Sequence, residues 1–259
     1  MASIAPSGQA QSPGSTIKEE TVTYKSGEVT LKGFVAYDSR IAGKRPVILV
    51  VHEWWGLNDY PRMRARRLAA LGYFAMAVDM FGEGKIAANP KEAMALTMPF
   101  YKDPLLVKQR ISAAVRKARE YPQADPANMA AIGYCFGGNV VLNAAKLGAE
   151  FKGVVSFHGG LGGAPADRKL LKASILVCHG GADKFISQAD VDAFKHQMDS
   201  IHADYDFRVY PGATHAFTNP DATKTGKAFD LPIEYNEAGD KNSWDDMKVF
   251  LTRIFNSKK

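Results

Sequence analysis

The chain of 259 residues is 46% hydrophobic and 23% charged, the composition of a globular protein with one large α/β domain or two small ones. Its net charge of +6 comes from lysines and arginines that are scattered rather than gathered into a stripe. The densest group, "RMRARR" at 62–67, falls on a predicted helix and reads as a solvated face, so nucleic acid is not an expected partner.

The opening "MASIAPSGQAQSPGST" is polar and rich in small residues, and residues 1–17 are expected to be disordered ahead of a single domain over 18–259. No signal-peptide core precedes the fold and no apolar run reaches the ~20 residues of a membrane span. A cytoplasmic location is favoured, with a periplasmic one the alternative if the first segment is the remnant of a trimmed export signal. "EETVTYKS" and "VTLKGFVAYD" alternate as antiparallel strands joined at Lys25-Ser26-Gly27. "RPVILVVHE" is instead a continuous apolar run, the mark of a strand buried on both faces of a parallel sheet. A helix over 60–71 and a second buried strand, "YFAMAVDMFG", follow.

Helices are predicted over 90–101 and 104–120, the second starting at Asp103-Pro104. Next come "NMAAIGY" as a strand, "GGNVVLNAAKLG" as a helix, and the strands "FKGVVSFHGG" and "ASILVCHGGAD". A helix over 187–202, the strand "DYDFRVYPG" and the closing helix "SWDDMKVFLTRIF" complete the chain, with 218–242 read as a long loop or excursion before that last helix. Strands alternating with helices from residue 45 onward argue for a mostly parallel central sheet, helices on both faces, and an antiparallel hairpin at the start.

Such sheets bind ligands beyond the carboxyl ends of their strands. In this chain those ends carry His52, Glu53, Trp54 and Trp55; then Asp79 and Phe81; then Cys135, His158, His179, Asp183 and His215. "GYCFG" fits G-x-S-x-G with sulfur in place of oxygen, a tight strand-to-helix bend that exposes a nucleophile. The start of the following helix favours thiolate over thiol. A thiol nucleophile needs a base, and the base an orienting acid. Asp183 and His215 follow Cys135 in the chain order of an α/β hydrolase, whereas Asp59 and Asp79 precede it. The oxyanion would be held by the backbone N–H groups of Phe136 and Trp54. His52 and His179 read as satisfied histidines of the rim, and His158 is balanced between pocket and structural roles. Of the two cysteines, Cys178 lies in a predicted buried strand on a neighbouring strand to Cys135, and neither has metal-ligand spacing. No metal and no cofactor is expected.

"HEWWGLN", "GYCFGG", "HGGAD" and "PGATHAF" together resemble the dienelactone hydrolase family, from about residue 18 to the end of the chain. The resemblance implies an α/β-hydrolase fold and a triad of Cys135, Asp183 and His215. It also makes Glu53 the additional carboxylate near the sulfur, holding the thiol neutral until substrate binds. The family's two arginines that grip a substrate carboxylate have Glu83 and Asn219 at their places, with Lys85 and Arg208 as candidate substitutes. An aromatic surround of Trp54, Trp55, Phe81, Phe136 and Phe217, with His158 as a further pocket candidate, would then suit an apolar or aromatic acyl group or a promiscuous range of small esters.

The reading is a cysteine-dependent hydrolase of small esters or lactones that acts through an acyl-thioester, as monomer or homodimer. Hydrolysis of dienelactone itself (carboxymethylenebutenolidase activity) is the alternative. A non-catalytic binding protein would be expected to lose a triad member, and a redox sensor would want a resolving cysteine near Cys135.

Overall fold

The computed structural model describes residues 16–256. Of the segment expected to be disordered, residues 1–15 lie outside the described residues, while Ile17 already opens the first strand. In chain order the elements are β1 (Ile17–Ser26), β2 (Val29–Asp38), β3 (Arg45–Val51), α1 (Asp59–Ala70), β4 (Phe74–Val78), α2 (Pro90–Lys102), α3 (Pro104–Arg119) and β5 (Ala124–Tyr134). They continue with α4 (Phe136–Lys146), β6 (Gly153–Phe157), β7 (Ser174–Gly180), α5 (Gln188–Ser200), β8 (Tyr205–Tyr210), α6 (Ala222–Phe229) and α7 (Glu237–Asn256).

Among the described residues eight strands form one sheet in the order β1-β2-β4-β3-β5-β6-β7-β8. The β1–β2 hairpin closes where Ser26 pairs with Val29, and Gly27 takes the positive φ of 60° that its tight turn requires. β2 docks antiparallel on β4, and every later pairing is parallel. Alternate residues of β3 feed two cores. Val47, Leu49 and Val51 pack toward Ile111 of α3, Val140 of α4 and Phe194 of α5. Ile48 and Val50 pack toward Leu68 of α1 and Met247 of α7. The apolar runs of the central strands are therefore explained by burial on both faces.

Local chemistry sets the helix starts. Asn58 accepts from the Tyr60 N–H at the head of α1. Asn89 and Asp103 cap α2 and α3, each with proline in the first turn, and Ser187 and Asp190 form a capping box on α5.

Two expectations are corrected. Residues 218–242 are not one loop: they contain α6 and the beginning of α7. α6 is hard to see because Gly226 interrupts its pattern. That glycine is buried, and a Cβ there would lie 2.5 Å from the Ile233 carbonyl oxygen. Nor is "RMRARR" wholly a solvated face. Arg64 is 0% exposed, and its guanidinium pairs with Asp240 and bonds the Thr218 carbonyl.

Candidate active site

The nucleophile's position is created by crowding. β5 passes into α4 through one residue, Cys135, at φ 53° and ψ −112°. A Cβ on Gly133 would lie 2.0 Å from the Gly137 carbonyl oxygen, and one on Gly137 2.3 Å from that of Val51. Only glycine lets the strand, bend and helix approach so closely, and the bend leaves a half-buried sulfur at the head of α4.

The loop after β8 brings His215 to that sulfur, with Nε2 3.1 Å from Cys135 Sγ. On the other side of the ring, Nδ1 lies 2.8 Å from Asp183 Oδ2. The second oxygen of Asp183 accepts from the N–H groups of Phe185 at 2.8 Å and Ile186 at 3.3 Å, so the loop after β7 fixes the carboxylate. Burial opposes charge on His215, but the sulfur and carboxylate flanking it win and lift it to about 10. Burial likewise works against a charged Asp183, yet the imidazole and the Phe185 N–H hold it below the ordinary carboxylate value.

Glu53, on the loop after β3, is buried and accepts from Asn219 Nδ2 at 2.6 Å. Burial pushes its carboxyl up to about 7 against the pull of that amide and of the His215 and Arg64 charges. It lines the same cavity as Cys135 and His215. Trp54 and Phe136 line it too, and among the described residues neither backbone N–H has a protein acceptor. The Phe136 N–H is one of the orphan donors at the start of α4. His52 is buried and held near 4 by desolvation. Its Nδ1 faces the Glu53 carbonyl and its Nε2 accepts from the Met80 N–H at 3.3 Å, the satisfied rim histidine expected.

The cavity measures about 280 Å³. Trp55 lines it, together with Met94, Met98 and Tyr101 of α2 and Phe185. Sequence reasoning missed the α2 residues, although Met94, Met98 and Tyr101 stand at helical spacing on a face that the core does not use.

Three residues expected in the pocket belong behind it. Phe81 packs between His52, Phe100 and Phe136, so it supports Phe136 from the core side. Phe217 is 0% exposed against Tyr210 and His158. His158 is buried and bonds the Cys135 N–H through Nδ1 at 3.1 Å and Thr218 Oγ1 through Nε2 at 2.7 Å.

Cys178 is also not where a resolving thiol would be. β6 separates its strand from β5, and it packs in the α1/α7 core, with burial pushing its thiol up to about 12. Among the described residues no three His, Cys, Asp or Glu side chains gather to hold a metal ion, and no helix is long and apolar enough to cross a membrane.

The places of the substrate-gripping arginines are filled differently. Glu83 is exposed, 3.8 Å from Lys32, and Asn219 is engaged with Glu53. Arg208 sits on the outer strand β8 beside Asp206, and Lys85 is exposed outside the cavity lining. Among the described residues no lysine or arginine lines the cavity.

Eight strands in this order, with a candidate nucleophile at the β5–α4 bend and an acid and a histidine after β7 and β8, define an α/β hydrolase. Residues 31–255 match the dienelactone hydrolase family, and the chain belongs to that family of carboxylic ester and lactone hydrolases. The crystal structure of a dienelactone hydrolase-like promiscuous phosphotriesterase from metagenomic libraries is similar at a TM-score of 0.87 and 30% identity, covering 93% of this chain and 99% of that one. A Methylorubrum extorquens protein provisionally named carboxymethylenebutenolidase is 33% identical over 68% of this chain, and the match spans 64% of that protein's length. A Yersinia pestis protein with the same provisional name is 27% identical over 94% of this chain and 90% of its own.

Proposed function

We propose that the protein hydrolyses small uncharged carboxylic esters and lactones, with Cys135 as nucleophile. The observation that carries this reading is the line of three side chains, Cys135 Sγ to His215 Nε2 at 3.1 Å and His215 Nδ1 to Asp183 at 2.8 Å. The sulfur, its proton held by His215, attacks the carbonyl carbon and forms a C–S bond. The oxyanion is met by the N–H groups of Phe136 and Trp54. Collapse breaks the C–O bond, and His215 gives its proton to the departing alkoxide. Water then attacks the acyl-thioester with His215 as base, releasing the acid and restoring the thiol. Asp183 holds the ring in one tautomer and steadies its positive charge. Glu53, raised to about 7, supplies a carboxylate whose charge at rest is easily shifted by a substrate entering the same cavity.

The absence of a lysine or arginine from the cavity lining, among the described residues, supports a neutral substrate over carboxylate-bearing dienelactone. The same neutrality favours an uncharged phosphotriester as a second substrate class, the activity named for the metagenomic relative.

The test is turnover of p-nitrophenyl acetate by the wild type and by folded Cys135→Ala. The expected result is Cys135-dependent cleavage with little activity on a charged enol lactone. Undiminished cleavage by Cys135→Ala overturns the reading.

A further inference from the structure

α2 has two apolar faces where a helix packed on one core needs one. Ala93, Thr97 and Phe100 are buried at i, i+4 and i+7. One position further on, Met94, Met98 and Tyr101 repeat the spacing and stay 56%, 38% and 51% exposed. This second stripe lines the catalytic cavity and runs for about 10 Å along the helix.

Tyr101 also faces a second cavity next to the first. Tyr101, Gly160 and Ile186 are also walls of a second cavity of about 330 Å³, set between the α2–α3 junction, the first turns of α4 and the segment 160–163. The Tyr101 ring stands edge-on to Phe136, the residue after the nucleophile, with centroids 5.9 Å apart.

The side-chain amides and the carboxylate of this second cavity are already engaged. The Asn139 amide donates to the carbonyls of Gly160 and Gly162, each at 2.9 Å. Asn143 donates to Asn139 and accepts from the Ala164 N–H. The Asp190 carboxylate accepts from the N–H and hydroxyl of Ser187. Besides Tyr101, the side chains left to meet a ligand are apolar: Phe100, Pro104, Val107, Leu161 and Ile186. The one charged lining group, Asp190, disfavours a carboxylate there.

The α2 face that leads to Tyr101 is adaptable rather than stiff. Methionine side chains adapt to irregular shapes. Pro99 lacks the N–H that would bond the Ala95 carbonyl, and Thr97 turns its hydroxyl back to the Ala93 and Met94 carbonyls.

Resting on the ester-hydrolase reading above, we infer that the second cavity is a subsite of the catalytic cleft. Its occupant is an apolar arm of an uncharged ester, long enough to lie along Met94 and Met98 and pass Tyr101. Tyr101 is then the residue that sets the length and width of arm accepted.

Gly162 offers a clean probe, because a Cβ there meets nothing within 4 Å. Gly162→Phe, or Gly162→Leu where the larger side chain prevents folding, should plug the subsite, and Tyr101→Ala should widen its entrance. The measurement is kcat/KM across p-nitrophenyl acetate, hexanoate and decanoate, and across ethyl, hexyl and decyl acetates to identify which side of the ester carries the arm. The expected result is a long-to-short ratio that falls at least about tenfold on plugging, in one series, and rises in Tyr101→Ala. A ratio unmoved by both changes, with acetate cleavage still dependent on Cys135, overturns the subsite and leaves the hydrolase reading standing. If no ester turns over, decanoate ester binding to Cys135→Ala is followed by tryptophan fluorescence. Binding weakened by Gly162→Phe supports the subsite without the hydrolase, and binding indifferent to it overturns the subsite.

Discussion

The backbone N–H of Cys135 donates to Nδ1 of His158 at 3.1 Å while also reaching the Phe157 carbonyl at 3.0 Å. Nδ1 therefore carries no proton, and Nε2 is the donor to Thr218 Oγ1 at 2.7 Å. Burial and the neighbouring His215 charge hold His158 well below its ordinary value, consistent with a neutral ring. Both residues have positive φ, 53° for Cys135 and 42° for His158, where non-glycine residues are strained by about 1–3 kcal/mol each. The ring thus pins the bend on which the sulfur sits. His158→Phe keeps the ring's bulk but removes the acceptor. Its kcat should fall by about 10–100-fold with a smaller change in KM, as expected when a misplaced nucleophile rather than lost binding limits the rate. Steady-state kinetics and the rate of Cys135 alkylation by iodoacetamide check this. An unchanged alkylation rate speaks against the pinning.

Asp183→Asn tests the orientation of His215. The amide can present N–H where the carboxylate presented only acceptors, so Nδ1 loses the partner that keeps its proton in place. It also removes one of the charges that lift His215 to about 10. Turnover of p-nitrophenyl acetate should drop by about 10⁴. The basic limb of the pH–rate profile should move to lower pH, since His215 loses its proton more easily. A basic limb left in place would separate that limb from His215.

Glu53 gives a pH dependence to stability. Its folded value, about 7, lies above the ordinary 4.5 because desolvation outweighs the Asn219 amide. Between those two pH values the folded state holds a proton that the unfolded state has released, so stability falls as pH rises from 4.5 to 7 and is flat above. The full change attributable to this group is about 3 kcal/mol at 1.36 kcal/mol per pH unit. Glu53→Gln should remove that slope, and Asn219→Arg should reduce it by holding the carboxylate ionised. Urea midpoints at acid and neutral pH measure the effect; a wild-type slope retained in Glu53→Gln assigns it to another group.

The strand–helix alternation, the bend at Cys135 and the partners Asp183 and His215 were legible because each leaves a local trace: an apolar run, a glycine pattern, a polar residue at a strand end. In the structure those three side chains lie each within bonding distance of the next. What lies behind the site was not legible in the same way. Phe81 and Phe217 follow strands β4 and β8 as rim residues do, and only the packing against Phe136 and His158 puts them in the core. Arg64 looks like any arginine of a basic helix. Its partner Asp240 is 176 positions away, and no local pattern connects them. α6 was hidden because a buried glycine breaks helical periodicity where the Ile233 backbone needs room.

The Arg64–Asp240 pair carries the last prediction. Arg64 is fully buried, and its Nη2 bonds both Asp240 and the Thr218 carbonyl. Its Nε lies 3.3 Å from Tyr60 Oη, which in turn meets Thr218 Oγ1 at 2.6 Å. The rings of Tyr60, Tyr134 and Trp244 surround the guanidinium. Those rings and carbonyls solvate the cation in part, but Asp240 is its carboxylate partner. Asp240→Ala leaves a buried guanidinium without that neutralising charge and should destabilise the fold by about 3–5 kcal/mol. Replacing both partners, as Arg64→Met with Asp240→Leu, removes charge and counter-charge together and should recover most of that loss. Because Thr218 is shared with His158, Asp240→Ala should also slow ester cleavage at temperatures where it remains folded. Denaturant titrations of the single and double variants, read beside p-nitrophenyl acetate turnover, test both halves. A double variant no more stable than Asp240→Ala would mean that packing by these side chains, rather than an unpaired charge, dominates the loss.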